Sequence, residues 1–211
     1  MSPTPTPPAR RELARRPAAA IPSDTMLPRL VLLAVAISIA TGARAEPLPP
    51  RAQALMVLRV LAFDRGLERR ASGAVLVAVA AKAGDAAGEV RRDQVVAALR
   101  DLSKDTRARG LAVEARAVTW DGSAQPLTRA AAVVVVGKLA EESAGVGQVT
   151  RARQVLSIGE EAVAVERGLS VAVFAREAKP VIAASMLSAR QEGVSFEPSF
   201  LRQAELLEFG Q

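Results

Sequence analysis

The stretch GAVLVAVAAKAGDAAGEVRRDQVVAALRDLSKDTRARG, residues 73–110, contains the pattern that decides the fold. Its first part, residues 73–81, is a short apolar run that lies between Gly73 and Gly84. An unbroken apolar run of this length, enriched in valine and bounded by turn residues, is typical of a strand that is buried on both faces. We therefore expect a central strand of a sheet that is covered by helices on both sides.

The second part of the same stretch predicts a helix. Asp85 is a suitable N-cap, and Gly110 is a suitable C′ residue at which the helix would stop. Apolar side chains recur between them at helical spacing, at Val95, Leu99 and Leu102. A buried strand that leads directly into an amphipathic helix indicates an α/β unit.

The surrounding sequence continues this alternation. Four more segments have strand patterns: LAVEARAVTW at 111–120, AAVVVVGK at 131–138, QVLSIG at 154–159 and LSVAVFA at 169–175. The first of them alternates like a strand at the margin of a sheet, and the second reads as another buried strand. Before residue 73, a proline-rich start predicts a helix with one apolar stripe, made of Ala52, Leu55, Met56, Val60 and Phe63. We predict one α/β domain over residues 46–211, Rossmann-like and three-layered, with a mostly parallel sheet flanked by helices.

The closing stretch PVIAASMLSARQEGVSFEPSFLRQAELL, residues 180–207, predicts a strand end, a helix, a turn at Gly193 and a second helix. Ser185 is a suitable N-cap for the first helix, and Pro198 fits the first turn of the second. The second helix would end at Gly210 and pack on the sheet through one apolar stripe, made of Phe200, Leu201, Ala204 and Leu207.

The residue types exclude most kinds of catalytic centre. The 211 residues include no His, no Cys and no Tyr. The usual imidazole base, the thiolate nucleophile, the best zinc ligands and every disulfide are therefore excluded. A Ser with a Lys, a pair of carboxylates or an oxygen-only metal site remain as alternatives. We expect a protein that is not an enzyme and that needs no cofactor.

Residues 26–45, MLPRLVLLAVAISIATGARA, have the organisation of a signal peptide. Arg29 is followed by an uncharged run over residues 30–42, and small residues precede the cleavage point between Ala45 and Glu46. Thirteen residues are fewer than the roughly 17 to 25 that span a bilayer as a helix. We expect cleavage and a periplasmic mature protein.

The basic charge of the chain comes mostly from its first 45 residues. Residues 1–25 are Pro-rich and Arg-rich, which indicates a disordered extension or a mis-assigned translation start. Residues 1–45 hold six arginines and two acidic residues, so the rest of the chain has 22 basic against 20 acidic side chains. That remainder has no stripe of Lys and Arg that would neutralise phosphates, and with one Trp and no Tyr it lacks a platform for stacking bases. We therefore expect no nucleic-acid partner.

The order of the strand segments and of the closing segment resembles the YfiR-like family of small exported proteins. The resemblance covers residues 52–207, and its closing signature corresponds to Ser185, Ala189, Gly193, Val194, Phe196, Phe200, Leu201 and Ala204. Three features differ: Ser185 replaces an Asn, a Trp-Pro pair is absent around residues 64–67, and the cysteines of some members are missing. The last difference argues against redox control through a disulfide.

The resemblance implies a periplasmic regulator. Such proteins bind the periplasmic sensor part of an inner-membrane diguanylate cyclase and hold it inactive. The implied partner here is an inner-membrane signalling protein with a periplasmic domain, either a diguanylate cyclase or a sensor kinase, and a homodimer is left open. We expect the partner-binding face beside AFDRGLERR, residues 62–70, at Arg65, Arg69 and Arg70, where the chain departs from the family.

Other candidate sites have ordinary structural explanations. The turn from Gly84 to Gly88 offers backbone N–H groups to an anion, but it lacks the full Gly-x-Gly-x-x-Gly fingerprint and fits a simple strand-to-helix turn. Two adjacent carboxylate pairs, Glu141 with Glu142 and Glu160 with Glu161, are expected on solvated faces because neighbouring side chains point apart. Ser185, Ser188 and Ser195 have no Lys at an activating spacing.

Three functions thus remain open. The first is restraint of a membrane signalling partner, the second is binding of a small ligand at the turn from Gly84 to Gly88, and the third is hydrolysis at a Ser or carboxylate site. We rank them in that order.

Overall fold

The structure, a computed structural model, describes residues 46–71 and 73–207. Within these residues, seven strands form one sheet. In chain order they are β1 (Ala74–Lys82), β2 (Ala112–Trp120), β3 (Ala132–Val135), β4 (Leu156–Gly159), β5 (Val171–Arg176), β6 (Lys179–Ala184) and β7 (Ala204–Leu206). Strands β1 to β5 lie within or beside the segments whose apolar patterns predicted them.

Seven α-helices accompany the sheet in the part of the chain that the structure describes. They are α1 (Pro50–Ala62), α2 (Leu67–Arg70), α3 (Ala86–Leu102), α4 (Ser143–Arg153), α5 (Ala162–Glu166), α6 (Met186–Gln191) and α7 (Pro198–Leu201). Two 3₁₀ turns lie at Gln125–Leu127 and Gly137–Glu142. Pro50 and Pro198 occupy the first turns of α1 and α7, where the missing N–H of proline costs no intrahelical bond.

The sheet has the order β2-β1-β3-β4-β5-β6-β7. All neighbouring pairs from β2 to β5 are parallel, β5 and β6 are antiparallel, and β6 and β7 are parallel. A tight turn at Glu177 and Ala178 joins β5 to β6, and both residues have positive φ, as a hairpin turn of this hand requires. The predicted fold class is confirmed: the domain is α/β, with a mostly parallel sheet flanked by helices.

Strand β1 is buried on both faces, as predicted. Val77 and Val79 point into a core that also contains Leu61 of α1 and Leu99 of α3. The alternate residues of β1 point into a second core on the other face, formed by Ala78, Ala80, Val133, Val135, Leu139 and Val146. Because successive side chains of a strand point to opposite faces, two separate cores require covering layers on both sides of the sheet.

Strand β2 is the margin of the sheet, which the alternation in residues 111–120 predicted. Its side chains at Val113, Ala115 and Val118 are buried, whereas Glu114 and Arg116 are exposed. A strand with one solvated side and only one neighbour, β1, can carry charged residues without desolvating them.

Two helix predictions need correction. Leu55, placed on the buried stripe of the first helix, is 54% exposed, while Gln53 is fully buried. The reason is that α1 packs against α3 and β5 through a face that includes Gln53, whose side-chain oxygen accepts a hydrogen bond from Arg91. Helix α3 ends at Leu102 rather than near Gly110, because Gly110 serves a tight turn that brings Ala108 and Leu111 together as a β-bridge.

The closing segment also differs from its prediction. Ser185 caps α6 by accepting a hydrogen bond from the Ser188 N–H, and Gly193 has φ +73° in the turn, both as expected. The second helix, however, is only Pro198–Leu201, after which Ala204–Leu206 forms β7 beside β6. The exposed edge of β6 has backbone N–H and C=O groups that need partners, and a parallel strand satisfies them where a helix could not. Phe200 and Leu201 thus lie in α7, whereas Ala204 lies in β7 and Leu207 follows it, so the four predicted residues do not form one helical stripe.

The signal peptide, the extension at residues 1–25 and the helix end at Gly210 lie outside the described residues. Over residues 46–71 and 73–207, none of the helices combines the length and apolar character needed to cross a membrane.

Candidate functional site

A cleft lies at the carboxyl ends of β1, β3 and β4. The chain leaves β1 toward β2 on one side and returns to β3 on the other, so the connecting segments diverge above this point of the sheet. In open α/β sheets, a crevice at such a reversal of strand order is where ligands usually bind. The cleft has a volume of about 470 Å³ and is lined by residues that include Asp85, Arg91, Lys138 and Glu160.

Two carboxylates of the chain already occupy the backbone donors of this cleft. Asp85 accepts a hydrogen bond of 2.8 Å from the Lys138 N–H, and Glu160 accepts one of 3.3 Å from the Gly137 N–H. The Lys138 N–H, with a smaller contribution from the Gly88 N–H, holds the pKa of Asp85 below its ordinary value. An external anion would therefore have to displace these carboxylates and would meet their repulsion.

Arg91 neutralises the second of these carboxylates. Its Nε donates a hydrogen bond of 2.8 Å to Glu160, and its terminal nitrogen donates to the Gln53 side-chain oxygen and the Leu48 carbonyl. Glu160 is consequently 5% exposed, so its predicted place on a solvated face is wrong. A charge can be buried in this way only because it has an opposite charge and hydrogen bonds around it. The other members of the carboxylate pairs lie outside the core, and Glu142 binds Lys82 at 2.6 Å.

The glycines of the predicted anion turn have structural roles. Gly84 has φ +76°, a left-handed conformation that glycine adopts without strain. A Cβ on Gly88 would lie 2.3 Å from the Asp85 carboxylate, and one on Gly137 would lie 2.7 Å from the Gly88 Cα. Gly88 is therefore needed for the close approach of α3 to the segment after β3, which agrees with a strand-to-helix turn.

The serine candidates are likewise structural. Ser185 and Ser188 are buried at the start of α6, where they form the cap. The hydroxyl of Ser195 accepts a hydrogen bond from Arg65. No lysine side chain bonds any of the three among the described residues.

The three predicted partner-binding arginines separate into two kinds. Arg65 and Arg69 are exposed, as a binding face requires. The side chain of Arg70 is only 8% exposed and pairs with Asp64, which is fully buried. Arg70 also donates to the Ala131 carbonyl at 2.7 Å, so it holds α2 against the start of β3. Arg70 is a structural residue, and reversing its charge would not leave the fold unchanged.

Arg69 and Arg70 line a pocket of about 420 Å³ together with Arg129 and Arg153. We call these four residues and the space between them the arginine pocket. Arg129 lies just before β3 and Arg153 ends α4 just before β4, so the pocket lies at the amino ends of these strands, opposite the cleft. Sequence reasoning missed Arg129 and Arg153, because only the parallel pairing of β3 and β4 brings their preceding loops to one end of the sheet.

The exposed arginines of this pocket have no acidic partner in the described chain. Arg69, Arg129 and Arg153 are exposed, and no carboxylate of residues 46–71 or 73–207 lies within 4 Å of their guanidinium nitrogens. Arg129 also has φ +65°, a left-handed backbone conformation that is uncommon for a residue with a long side chain. Three exposed arginines without an acidic partner in the described chain thus line one pocket at this end of the sheet.

A buried carboxyl group lies between β4, β5, α4 and α6. Glu192 is fully buried and hydrogen-bonds Thr150, Ser157 and Ser170, all of them fully buried too. Burial raises the pKa of Glu192, although its hydrogen bonds oppose that shift. Because the Glu192 side chain is fully buried, we assign it to the core.

No family model matches this chain, and no curated protein matches it. Among solved structures, an ABC domain in complex with L-Trp from Streptococcus pneumoniae is similar, with TM-score 0.52 and 13% identity over 75% of this chain and 62% of that one. A conserved domain protein from Vibrio cholerae has TM-score 0.49 at 12% identity, covering 76% of this chain and 60% of that one. A ligand-free substrate-binding protein with adhesive properties from Clostridium difficile has TM-score 0.47 at 13% identity, covering 69% and 58%.

The chain thus spans about three fifths of the length of the solved structures that it matches. At 13% identity, the likeness to the Streptococcus domain concerns the fold alone, since one fold serves many unrelated functions. It agrees with the α/β architecture described above.

Proposed function

We propose that this protein is a non-catalytic periplasmic binding protein that restrains an inner-membrane signalling protein by contacting its periplasmic part. The signalling protein would be a diguanylate cyclase or a sensor kinase. The strand segments and closing segment that resemble the YfiR-like family support this role, because that family acts in this way.

The observation that carries the proposal is a contrast between the two ends of the sheet. The cleft is lined by charged side chains of both signs, and Arg91 pairs with Glu160 there. At the other end, Arg69, Arg129 and Arg153 are exposed and have no carboxylate within 4 Å in the described residues. An exposed surface with uncompensated charge attracts a partner of opposite charge and orients it on approach.

The side chains around the cleft support a non-catalytic role. The Glu160 carboxylate is bound by the Arg91 guanidinium and by the Gly137 N–H. The Asp85 carboxylate accepts a hydrogen bond from the Lys138 backbone N–H. Neither carboxylate has a neighbouring hydroxyl that it could activate among its hydrogen-bond partners in the described chain.

The proposal is tested by complementation. A strain that lacks the gene would be complemented with the wild type, with Arg65→Glu/Arg69→Glu, or with Arg202→Glu, and cyclic-di-GMP would be measured in each. Arg202 is an exposed arginine on the closing segment and serves as the matched control. We expect Arg202→Glu to restore the low level of the wild type and the double variant to fail. Equal restoration by both variants, at equal protein levels, would contradict the role of this face.

A second candidate function is the binding of a small uncharged or zwitterionic ligand in the cleft. The observation that favours it is the place of the cleft at the reversal of strand order, with about 470 Å³ of space. A thermal-shift screen with amino acids and sugars would test it. A ligand that raises the melting temperature of the wild type, but not that of Ala87→Trp, would support binding in the cleft, since Ala87 is an exposed lining residue.

A further inference from the structure

The arginine pocket is built by three separate segments of the chain. Arg69 and Arg70 come from α2, Arg129 from the loop before β3, and Arg153 from the last turn of α4. Arg70 joins these segments, since it donates hydrogen bonds to the Ala131 carbonyl at 2.7 Å and to the Gln154 carbonyl at 3.3 Å. The segments that carry these arginines are therefore held together by buried contacts of the fold.

One nitrogen of the Arg70 guanidinium group has no hydrogen-bond partner in the described residues. Its two terminal nitrogens bind Asp64 and the two carbonyls, but its Nε is buried and has no hydrogen-bond partner in the described residues. Because this nitrogen is buried, it is not itself open to a ligand, and the exposed guanidinium groups of the pocket belong to Arg69, Arg129 and Arg153. The three exposed arginines of the pocket likewise lack a carboxylate partner in the described chain.

The lining of the pocket indicates the chemical class of its ligand. Besides the arginines it contains Leu127, Thr128, Ala130 and Val155, and no aromatic residue. The described lining thus lacks an aromatic side chain, the most common platform on which a nucleobase stacks. Arginine forks match the two oxygens of a carboxylate in bidentate geometry, and several of them in one pocket match several carboxylates on one segment.

We infer that the arginine pocket binds an acidic peptide segment, rich in Asp or Glu, of the protein that this chain restrains. The inference rests on the proposed function and adds the chemistry of the contact. Arg69, Arg129 and Arg153 pair with carboxylates of that segment, while Arg70 holds the floor of the pocket in place. The predicted binding face around Arg65 and Arg69 thereby extends to the loops before β3 and β4.

The inference is tested with a synthetic octaglutamate peptide and the purified protein, by isothermal titration calorimetry in low-salt buffer. Octaglutamine and inorganic phosphate serve as comparison ligands. We expect octaglutamate to bind the wild type and to bind Arg69→Glu/Arg129→Glu/Arg153→Glu at least about tenfold more weakly, because each reversal replaces attraction by repulsion. Arg167→Glu is the matched control, since Arg167 is an exposed arginine that lines the cleft at the opposite end. It should bind octaglutamate like the wild type.

Circular dichroism would show that each variant is folded, and Arg129→Gln/Arg153→Gln replaces the triple variant if that one does not fold. The inference is overturned if octaglutamate does not bind the wild type, if the pocket variants bind it unchanged, or if phosphate at equal concentration displaces it.

The cell experiment of the preceding section separates this inference from the proposed function. If octaglutamate does not bind but Arg65→Glu/Arg69→Glu still releases cyclic-di-GMP synthesis, the acidic-segment inference is wrong and the restraint stands. If octaglutamate binds as expected but no variant of this face alters cyclic-di-GMP, the pocket is an acidic-peptide site and the proposed function is wrong.

Discussion

The backbone N–H of Ser157 donates a hydrogen bond of 2.9 Å to the carboxyl group of Glu192, inside the core of the domain. Ser157 belongs to β4 and Glu192 follows α6, so this contact joins the sheet to the closing segment. The hydroxyl of Thr150 lies 2.6 Å from the other carboxyl oxygen and 3.1 Å from the Gly147 carbonyl. The Thr150 hydroxyl can therefore accept a hydrogen bond from a protonated Glu192 while it donates one to the Gly147 carbonyl.

The first prediction concerns the pH dependence of stability. Burial raises the pKa of Glu192 above its ordinary value of 4.5, so the folded protein retains a proton that the unfolded chain has lost. Its contribution to the free energy of unfolding is fully present below the ordinary pKa and is lost as pH rises through the folded pKa. In the Glu192→Gln variant this position cannot titrate. The free energy of unfolding of the variant should therefore lack this pH-dependent contribution.

Urea denaturation of the wild type and of Glu192→Gln between pH 4 and pH 8 would measure the difference. We expect the stability of the wild type relative to the variant to fall as pH rises. Groups such as Asp85, whose pKa is lowered, affect both proteins equally and cancel in the comparison. A pH-independent difference would contradict a raised pKa for Glu192.

The second prediction separates a structural arginine from a surface arginine on the same helix. Arg70→Ala leaves the buried carboxylate of Asp64 without its ion-pair partner and should cost about 3 to 5 kcal/mol of the free energy of unfolding. Arg69→Ala removes an exposed side chain and should change stability by no more than about 0.5 kcal/mol. Urea denaturation at neutral pH would measure both. Similar values for the two variants would disprove the structural role of Arg70.

The third prediction concerns the packing of the closing segment. Phe200 is fully buried, stacks on Phe196 with ring centroids 4.0 Å apart and meets Phe63 at 5.7 Å. Phe200→Ala should destabilise the domain by about 3 to 5 kcal/mol, as a buried aromatic deletion does. Leu201 is only partly buried, so Leu201→Ala should cost less, about 1 to 2 kcal/mol. If Leu201→Ala proves the more damaging of the two, the continuous helix predicted from the sequence would describe this segment better.

The apolar strands were predictable from sequence because their signal is local. The run at residues 73–81 carries its own evidence of double-sided burial, and the alternation of residues 111–120 marks the sheet margin. Strand β7 was missed for a physical reason: the apolar residues Phe200, Leu201 and Ala204 fit a helical period, and only the unsatisfied edge of β6 favours a strand there.

The residues of the candidate sites were harder to predict from the sequence than the strands, because their roles depend on tertiary contacts. Arg65, Arg69 and Arg70 look alike in sequence, and only the tertiary contacts of Arg70, with Asp64 and the Ala131 carbonyl, make it structural. The partnership of Arg91 with Glu160, separated by 69 residues, has no local signature. Arg129 and Arg153 meet Arg69 only through the parallel pairing of β3 and β4.

The fourth prediction concerns export. We expect the purified protein to begin at Glu46 and to be recovered from the periplasm, because residues 30–42 are too few to anchor it and small residues precede the cleavage point. N-terminal sequencing of the periplasmic fraction measures this. A protein that retains Met26 and sediments with membranes would show that the segment is an anchor.

The central claim is that the arginine end of the molecule, and not the cleft, contacts a membrane signalling protein. Site-specific photocrosslinking in living cells tests it most directly, with the crosslinker placed at Thr128 in the arginine pocket or at Ala87 in the cleft, both exposed. The account predicts that Thr128, but not Ala87, crosslinks to an inner-membrane protein with a periplasmic domain and a cytoplasmic signalling domain. Crosslinks from Ala87 alone, or none from Thr128 while the protein still lowers cyclic-di-GMP, would contradict it.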